Sequence, residues 1–239
     1  MFTGCLIFKD MEENFCIEPI AHIRTGFSEK FGIPRQSGLV DELTGKIVFE
    51  KKYRRFEAVR GLEEFSHIWL LWIFSDGVSD DFHPTVRPPR LGGNDRVGVF
   101  ATRSPFRPNK IGLSCVKLEY IDTTSDDSPV IYVSGIDMLD NTPIIDIKPY
   151  IPVTDMRLDA KEGYTEETKK HVLDVIFENE TDKALPASLL TSVIGILQND
   201  PRPGYAADPT REYGFVYSGY NIVFCSDGKT VFVKRITKK

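Results

Sequence analysis

Five short stretches hold the residue types from which a binding or catalytic site could be built. Pro34, Arg35 and Gln36 are followed by Ser37 and Gly38. Proline fixes one backbone angle, and the guanidinium fork and amide beside it can read a carboxylate or a nucleobase edge. An ordinary surface turn would use the same residues. Thr85–Asn94 reads TVRPPRLGGN, a basic excursion stiffened by proline. Ala101–Leu113 repeats the theme, with Arg103 and Arg107 among prolines and Phe106 between them. Arginine beside an aromatic ring suits nucleotide stacking and anion contact, although exposed connections also collect arginines. Asp137 and Asp140 stand three residues apart in Asp137–Pro143, ahead of a strand. A carboxylate there suits the ribose hydroxyls of an adenosine ligand, or both aspartates simply shape the turn. In Asp200–Tyr205, Pro201 and Gly204 serve as helix terminators, which leaves Arg202 and Tyr205 as candidates for RNA backbone contact and base stacking.

Other chemistries lack their signatures. Cys5, Cys16, Cys115 and Cys225 form no CxxC, and no His/Cys cluster has zinc spacing, so reduced thiols and no metal are expected. The histidines are scattered, and His67, at the start of an apolar run, reads as a satisfied core residue. No serine lies in a nucleophile elbow. Neither GxGxxG nor GxxxxGK[ST] occurs, so the phosphate cradles of Rossmann and P-loop folds are missing.

The 239-residue chain has net charge -5, which argues against a generic polyanion binder. Yet Arg87, Arg90, Arg96, Arg103, Arg107 and Lys110 face one acid, Asp95, between Phe82 and Lys110. A locally positive surface on an acidic protein reads as a focused anion site, for phosphate or RNA; loop arginines paired within the chain would give the same count. No apolar stretch reaches the roughly 20 residues of a membrane span. No basic-then-apolar leader opens the chain, and a cytoplasmic protein is expected.

The elements that must position these loops are mostly strands. Phe15–Arg24, Gly45–Glu50, Ile68–Phe74, Val97–Thr102, Gly112–Tyr120, Val130–Ile136 and Ile144–Lys148 carry the Val, Ile and aromatic content of strands between turn residues. Ile68–Phe74 is continuously apolar, the pattern of a strand buried on both faces. With almost no helical periodicity before Pro149, a barrel or sandwich is predicted. Pro152–Thr168 is polar and reads as a linker. Beyond it, His171–Glu178 reads as a strand. Pro186–Asn199 reads as a helix, with Leu189, Leu190, Val193, Ile194 and Leu197 on one face. Tyr213–Cys225 and Thr230–Ile236 read as two strands joined around Asp227-Gly228. The fold class is mainly β: a barrel over residues 1–155 and a smaller α+β domain over 165–239.

Longer strings add a resemblance. FGIPRQSGLV (Phe31–Val40), AVRGLEEFSHIWLLWIF (Ala58–Phe74), PTVRPPRLGGN (Pro84–Asn94), GVFATRSPFRPNKIGLS (Gly98–Ser114), DMLDNTPIIDIKPYIP (Asp137–Pro152) and DPRPGY (Asp200–Tyr205) cover most of the chain. In these the chain resembles the TrmO/TsaA-like family of tRNA adenosine methyltransferases. The resemblance implies a TsaA-like β-barrel that binds S-adenosyl-L-methionine, a smaller second domain and a homodimer. It implies methyl transfer to the exocyclic nitrogen of N-threonylcarbamoyladenosine beside the tRNA anticodon. It places cofactor contacts at Pro34, Arg35 and Gln36, Ser75 and Asp76, Arg103, Leu113, and Asp137, Met138, Leu139 and Asp140. The chain departs from the family pattern at Ser75-Asp76, where relatives carry His and a polar residue, and at Lys110, where a proline is common. Arg103, Arg107 and Arg202 would meet the threonyl carboxylate or phosphates, with Tyr205 beside them, and Asp140 and Asp200 are the candidate bases by residue type. A non-catalytic tRNA- or nucleotide-binding module, and a small-molecule methyltransferase, are the competing classes.

Overall fold

The structure, a computed structural model, describes residues 5–6, 15–74, 82–88, 91, 95–168, 172–203 and 208–239. Among the described residues, strands β1 (Cys5–Leu6) and β2 (Phe15–Cys16) pair only with each other. Then come β3 (Ala21–Thr25), β4 (Thr44–Phe49), a one-turn helix α1 (Phe56–Val59) and β5 (His67–Ile73). The two-residue strands β6 (Thr85–Val86) and β7 (Val97–Gly98) make a small ribbon. β8 (Ile111–Asp122), β9 (Val130–Ser134) and β10 (Thr142–Pro149) follow, and α2 (Pro152–Asp155) ends this half. Strands β10-β3-β4-β9-β8-β5 close into a barrel.

Alternation explains its interior. Ile23, Ile47, Ile68, Leu70, Ile131, Val133 and Ile144 are all 0% exposed, and burying each side chain contributes about 1.5–3 kcal/mol. β5 is buried on one face rather than both: Ile68, Leu70 and Trp72 point inward while Trp69, Leu71 and Ile73 are half-buried. His67 falls on the outer face and is exposed, with Nδ1 3.0 Å from Ser66 Oγ. It is not the core residue its neighbours suggested, because strand period places it opposite Ile68.

The second unit contains β11 (Asp174–Phe177), α3 (Ala187–Gln198), β12 (Tyr213–Tyr217), β13 (Tyr220–Ser226) and β14 (Thr230–Lys238). Its sheet order is β11-β14-β13-β12, with β11 parallel to β14 and the remaining pairs antiparallel. α3 buries Val193, Ile196 and Leu197. The segment expected as one strand over Tyr213–Cys225 is broken by Ser218 (φ 48°) and Gly219 (φ 79°), whose left-handed conformations form a tight hairpin turn. Val97–Thr102 is also no continuous strand: after β7, Val99–Ala101 winds into a 3-10 turn. Within the polar connection, Pro152–Asp155 is helical, and Asp155 Oδ2 accepts from Trp69 Nε1 and from the Ile151 amide, each at 2.9 Å.

One hydrophobic core runs through both units. Residues 26–43 are the shared wall. Phe27, 0% exposed, packs its ring 4.9 Å from that of Tyr217. The Ser218 amide donates to Gly26 O (2.7 Å), the Val216 amide to Glu29 Oε1 (2.9 Å) and Ser192 Oγ to Glu42 O (3.0 Å). Gly195 is required here because a Cβ would lie 2.4 Å from Val40 Cγ1.

Candidate functional site

β8 is twelve residues long, yet it pairs with β9 only from Lys117 onward. Its first half keeps β5 on one side and parts from β9 on the other. The loop after Pro34 fills that seam: Ser37 Oγ accepts the Cys115 amide at 3.1 Å, and the Gly38 amide donates to Gly135 O at 2.9 Å. Three loops therefore meet along the opened edge, namely 34–38, 99–107 and 135–140. Arg103 Nη1 donates to Gln36 Oε1, joining the first two.

Asp137 sits where they converge. Ser114, fully buried on the inner face of β8, donates from Oγ to Asp137 Oδ1 at 2.6 Å and accepts from Trp72 Nε1 at 2.9 Å. The Ser37 amide also donates to the carboxylate, and the Arg103 charge lies nearby. All of these favour the ionised form, but burial outweighs them and pushes the Asp137 pKa up to about 6. The indole of Trp72 is seated by a glycine: at Gly112 a Cβ would lie 2.2 Å from Trp72 Cε2. Trp72, Ser114 and Ser37 are thus parts of the site that motif reading passed over. The alternation Gly112, Ser114, Val116, Leu118 on the inner face of β8 was the available signal, since it turns a serine into a barrel.

Of the anticipated residues, Gln36, Arg103, Leu113 and Asp137 lie on the loops and strand edge of the seam, and Leu113 is 47% exposed there. Pro34 is buried beneath the loop, and Arg35 Nη2 reaches across to Arg202 O at 3.0 Å. Met138 is 1% exposed, and its carbonyl accepts Thr25 Oγ1. Leu139 is half-buried, and its carbonyl accepts Thr142 Oγ1 at 2.8 Å. Asp140 caps β3: Oδ1 accepts the Thr25 amide at 3.0 Å, and Oδ2 lies 3.8 Å from Arg24 Nη1. Ser75, Asp76, Arg90 and Tyr205 lie outside the described residues.

Two arginines expected on RNA are turned to internal work. Arg202 is 5% exposed; its Nε and Nη2 grip Asp200 Oδ1 and Oδ2 at 2.8 and 2.9 Å, and Nη1 donates to Ser226 O at 2.8 Å. The guanidinium is thus enclosed by partners within the chain, and both Asp200 oxygens accept from it. The reason is spacing: Asp200 adopts φ 46° and so turns its carboxylate onto the arginine two residues later. Arg107 is half-buried and donates from Nη2 to Val99 O (3.2 Å) and Thr102 O (2.8 Å), which ties the 99–107 turn shut. Among the described residues no group of His, Cys, Asp or Glu is placed to hold a metal ion, and no helix is long and apolar enough to cross a membrane.

A closed antiparallel barrel, with one strand parted from its neighbour over half its length and an α+β unit bracing it, defines a β-barrel class distinct from nucleotide-binding α/β folds. Within it, the chain belongs to the tRNA-methyltransferase O family. Residues 22–156 match the tRNA-methyltransferase O N-terminal domain and residues 170–239 the TrmO C-terminal domain. It is 42% identical over 198 residues to the tRNA (adenine(37)-N6)-methyltransferase of Escherichia coli K12, covering 80% of this chain and 84% of that one. It is 40% identical over 205 residues to a putative S-adenosylmethionine-dependent methyltransferase, RcsF, of Pseudomonas aeruginosa PAO1, covering 83% and 87%. The crystal structure of TrmO from Pseudomonas aeruginosa superposes with a TM-score of 0.73 at 30% identity, covering 92% of this chain and 98% of that one.

Proposed function

We propose that this chain is an S-adenosylmethionine-dependent tRNA methyltransferase that modifies adenosine 37, at the exocyclic nitrogen of its N-threonylcarbamoyl form. The observation that carries the reading is the Asp137 carboxylate, held by Ser114 and Ser37 beside the Arg103–Gln36 pair in the open seam. S-adenosylmethionine, when bound, supplies an electrophilic methyl group on a cationic sulfur, together with an ammonium, a carboxylate and ribose hydroxyls. The donor set fits such a molecule: a carboxylate for the ammonium or the hydroxyls, an arginine for the carboxylate, and the apolar Leu113 side chain.

What the protein contributes is position and charge. Asp137 cannot swing, because Ser114 is itself fixed by Trp72. Arg103 is steadied by Gln36, so the two loops hold one geometry before any ligand arrives, and such preorganisation lowers the entropic barrier to an in-line transfer. The basic stretch from Phe82 to Lys110 would attract the RNA backbone to the same edge. We read the working form as a cytoplasmic homodimer, which sedimentation of the purified protein tests. The test of activity is mass analysis of nucleosides from tRNA incubated with protein and S-adenosylmethionine. Gain of one methyl group on N-threonylcarbamoyladenosine is expected. Binding of tRNA without any methylated nucleoside would assign a non-catalytic module instead.

A further inference from the structure

We propose that the exposed rings flanking the β6–β7 ribbon, before β6 and in the turn after β7, form a stacking platform for one unpaired nucleobase of the RNA; this rests on the methyltransferase reading above. Phe100 is 75% exposed, Phe82 51% and Phe106 38%. The rings of Phe82 and Phe100 stack with centroids 6.4 Å apart and 27° between planes, and His83 meets Phe106 edge-on at 5.9 Å. A lone exposed phenylalanine needs no explanation, but paired rings beside a cleft of about 260 Å³ at Phe100, Arg107, Pro108 and Asn109 make a surface.

The support under Phe100 is stiff. Arg107 ties Val99 O to Thr102 O on either side of it, and Thr102 Oγ1 donates to Val99 O at 2.8 Å. Little freedom is therefore left to lose on binding. Charge selects the occupant. Arg87, Arg96, Arg103 and Lys110 share this stretch in a protein of net charge -5. A second copy docked here about a two-fold axis would oppose these cations to themselves. A strand of phosphates and flat bases matches both the charge and the rings. The same turn carries Arg103, bonded to Gln36 in the seam loop. A base on Phe100 is therefore a neighbour of the one presented at the seam, and the platform sets the register of the loop.

The test uses full-length Phe100→Ala, Phe100→Leu and Phe100→Tyr with a synthetic anticodon stem-loop whose loop bases are replaced singly by 2-aminopurine. Ala and Leu are expected to weaken RNA binding about 5- to 150-fold, the worth of one base–aromatic stack. Tyr, which keeps the ring, retains affinity. The salt slope and S-adenosylmethionine affinity stay as in the wild type, and quenching at one loop position disappears in Phe100→Ala. Wild-type RNA affinity in Phe100→Ala overturns the proposal. So does a smaller sedimenting species, which would give this face to self-association. Wild-type protein that stacks the base yet transfers no methyl group would retire the enzyme reading and leave the platform standing.

Discussion

Asp137 holds a carboxylate in a place that resists its charge. With a pKa near 6 in the folded protein, it keeps a proton that the unfolded chain releases near pH 4. Raising the pH through that window therefore removes stability, up to about 3 kcal/mol for a shift of this size, and the loss is complete above about pH 7. Asp137→Asn should be more stable than the wild type at pH 8, by about 1–2 kcal/mol, and no more stable at pH 4. Denaturant melts at the two pH values check this, and a difference that ignores pH would refute it. The same variant should bind S-adenosylmethionine at least tenfold more weakly by calorimetry, and wild-type affinity should fall as the pH drops through 6. Arg202 behaves oppositely. Removing a buried arginine from a two-point carboxylate pair costs about 3 kcal/mol, so Arg202→Ala should melt early while keeping the salt dependence of RNA binding; a reduced salt slope would restore Arg202 to the RNA surface. That Asp137, Arg103 and Gln36 stand on irregular loops was legible because prolines and charges interrupt the strand pattern around them. Ser37 and Ser114 were not, since serine is an ordinary residue whose importance here comes from where β8 parts from β9. Arg202 misled because its type suggests a surface, and only the turn at Asp200 buries it.

The strands were readable wherever alternation met turn residues, and β4, β9 and β10 fall where the apolar pattern places them. The exceptions have local causes. Val99–Ala101 winds up because Arg107 draws Val99 O and Thr102 O together, a contact no window of sequence displays. Ser218-Gly219 is a two-residue turn hidden inside a run of aromatics. The opening of β8 was also invisible, since its alternation runs unbroken from Ile111 to Leu118, through the point where it leaves β9. Gly112 makes that opening testable. Gly112→Ala drives a methyl group into the Trp72 indole, and overpacking of this kind costs about 1–3 kcal/mol. Because the displaced indole also loses Ser114 Oγ, S-adenosylmethionine affinity should fall along with stability. Unchanged tryptophan fluorescence and affinity in this variant would show that the indole does not hold the site.

Two folding units share one core, and the segment between Gly26 and Leu43 belongs to both. Phe27→Ala should remove about 3–5 kcal/mol, and calorimetry should show the barrel and the second sheet still melting together. Separate transitions would mean that the shared wall is only a contact between independent domains. That a barrel would be followed by a small α+β unit was legible from the change in periodicity after Pro149. That the second unit presses on the very loop carrying Pro34–Gln36 was not, because it depends on long-range partners such as Val40 against Gly195 and Arg35 against the Arg202 carbonyl.

Through Arg202, whose Nη1 donates to Ser226 O at the end of β13, that last hydrogen bond ties the turn at the seam to the second sheet. A molecule tightening the turn must, by linkage, also tighten what the turn hangs from. Amide protons of β12 and β13 should then exchange with deuterium more slowly once S-adenosylmethionine is added, although the nearest of them lies in the other half of the protein.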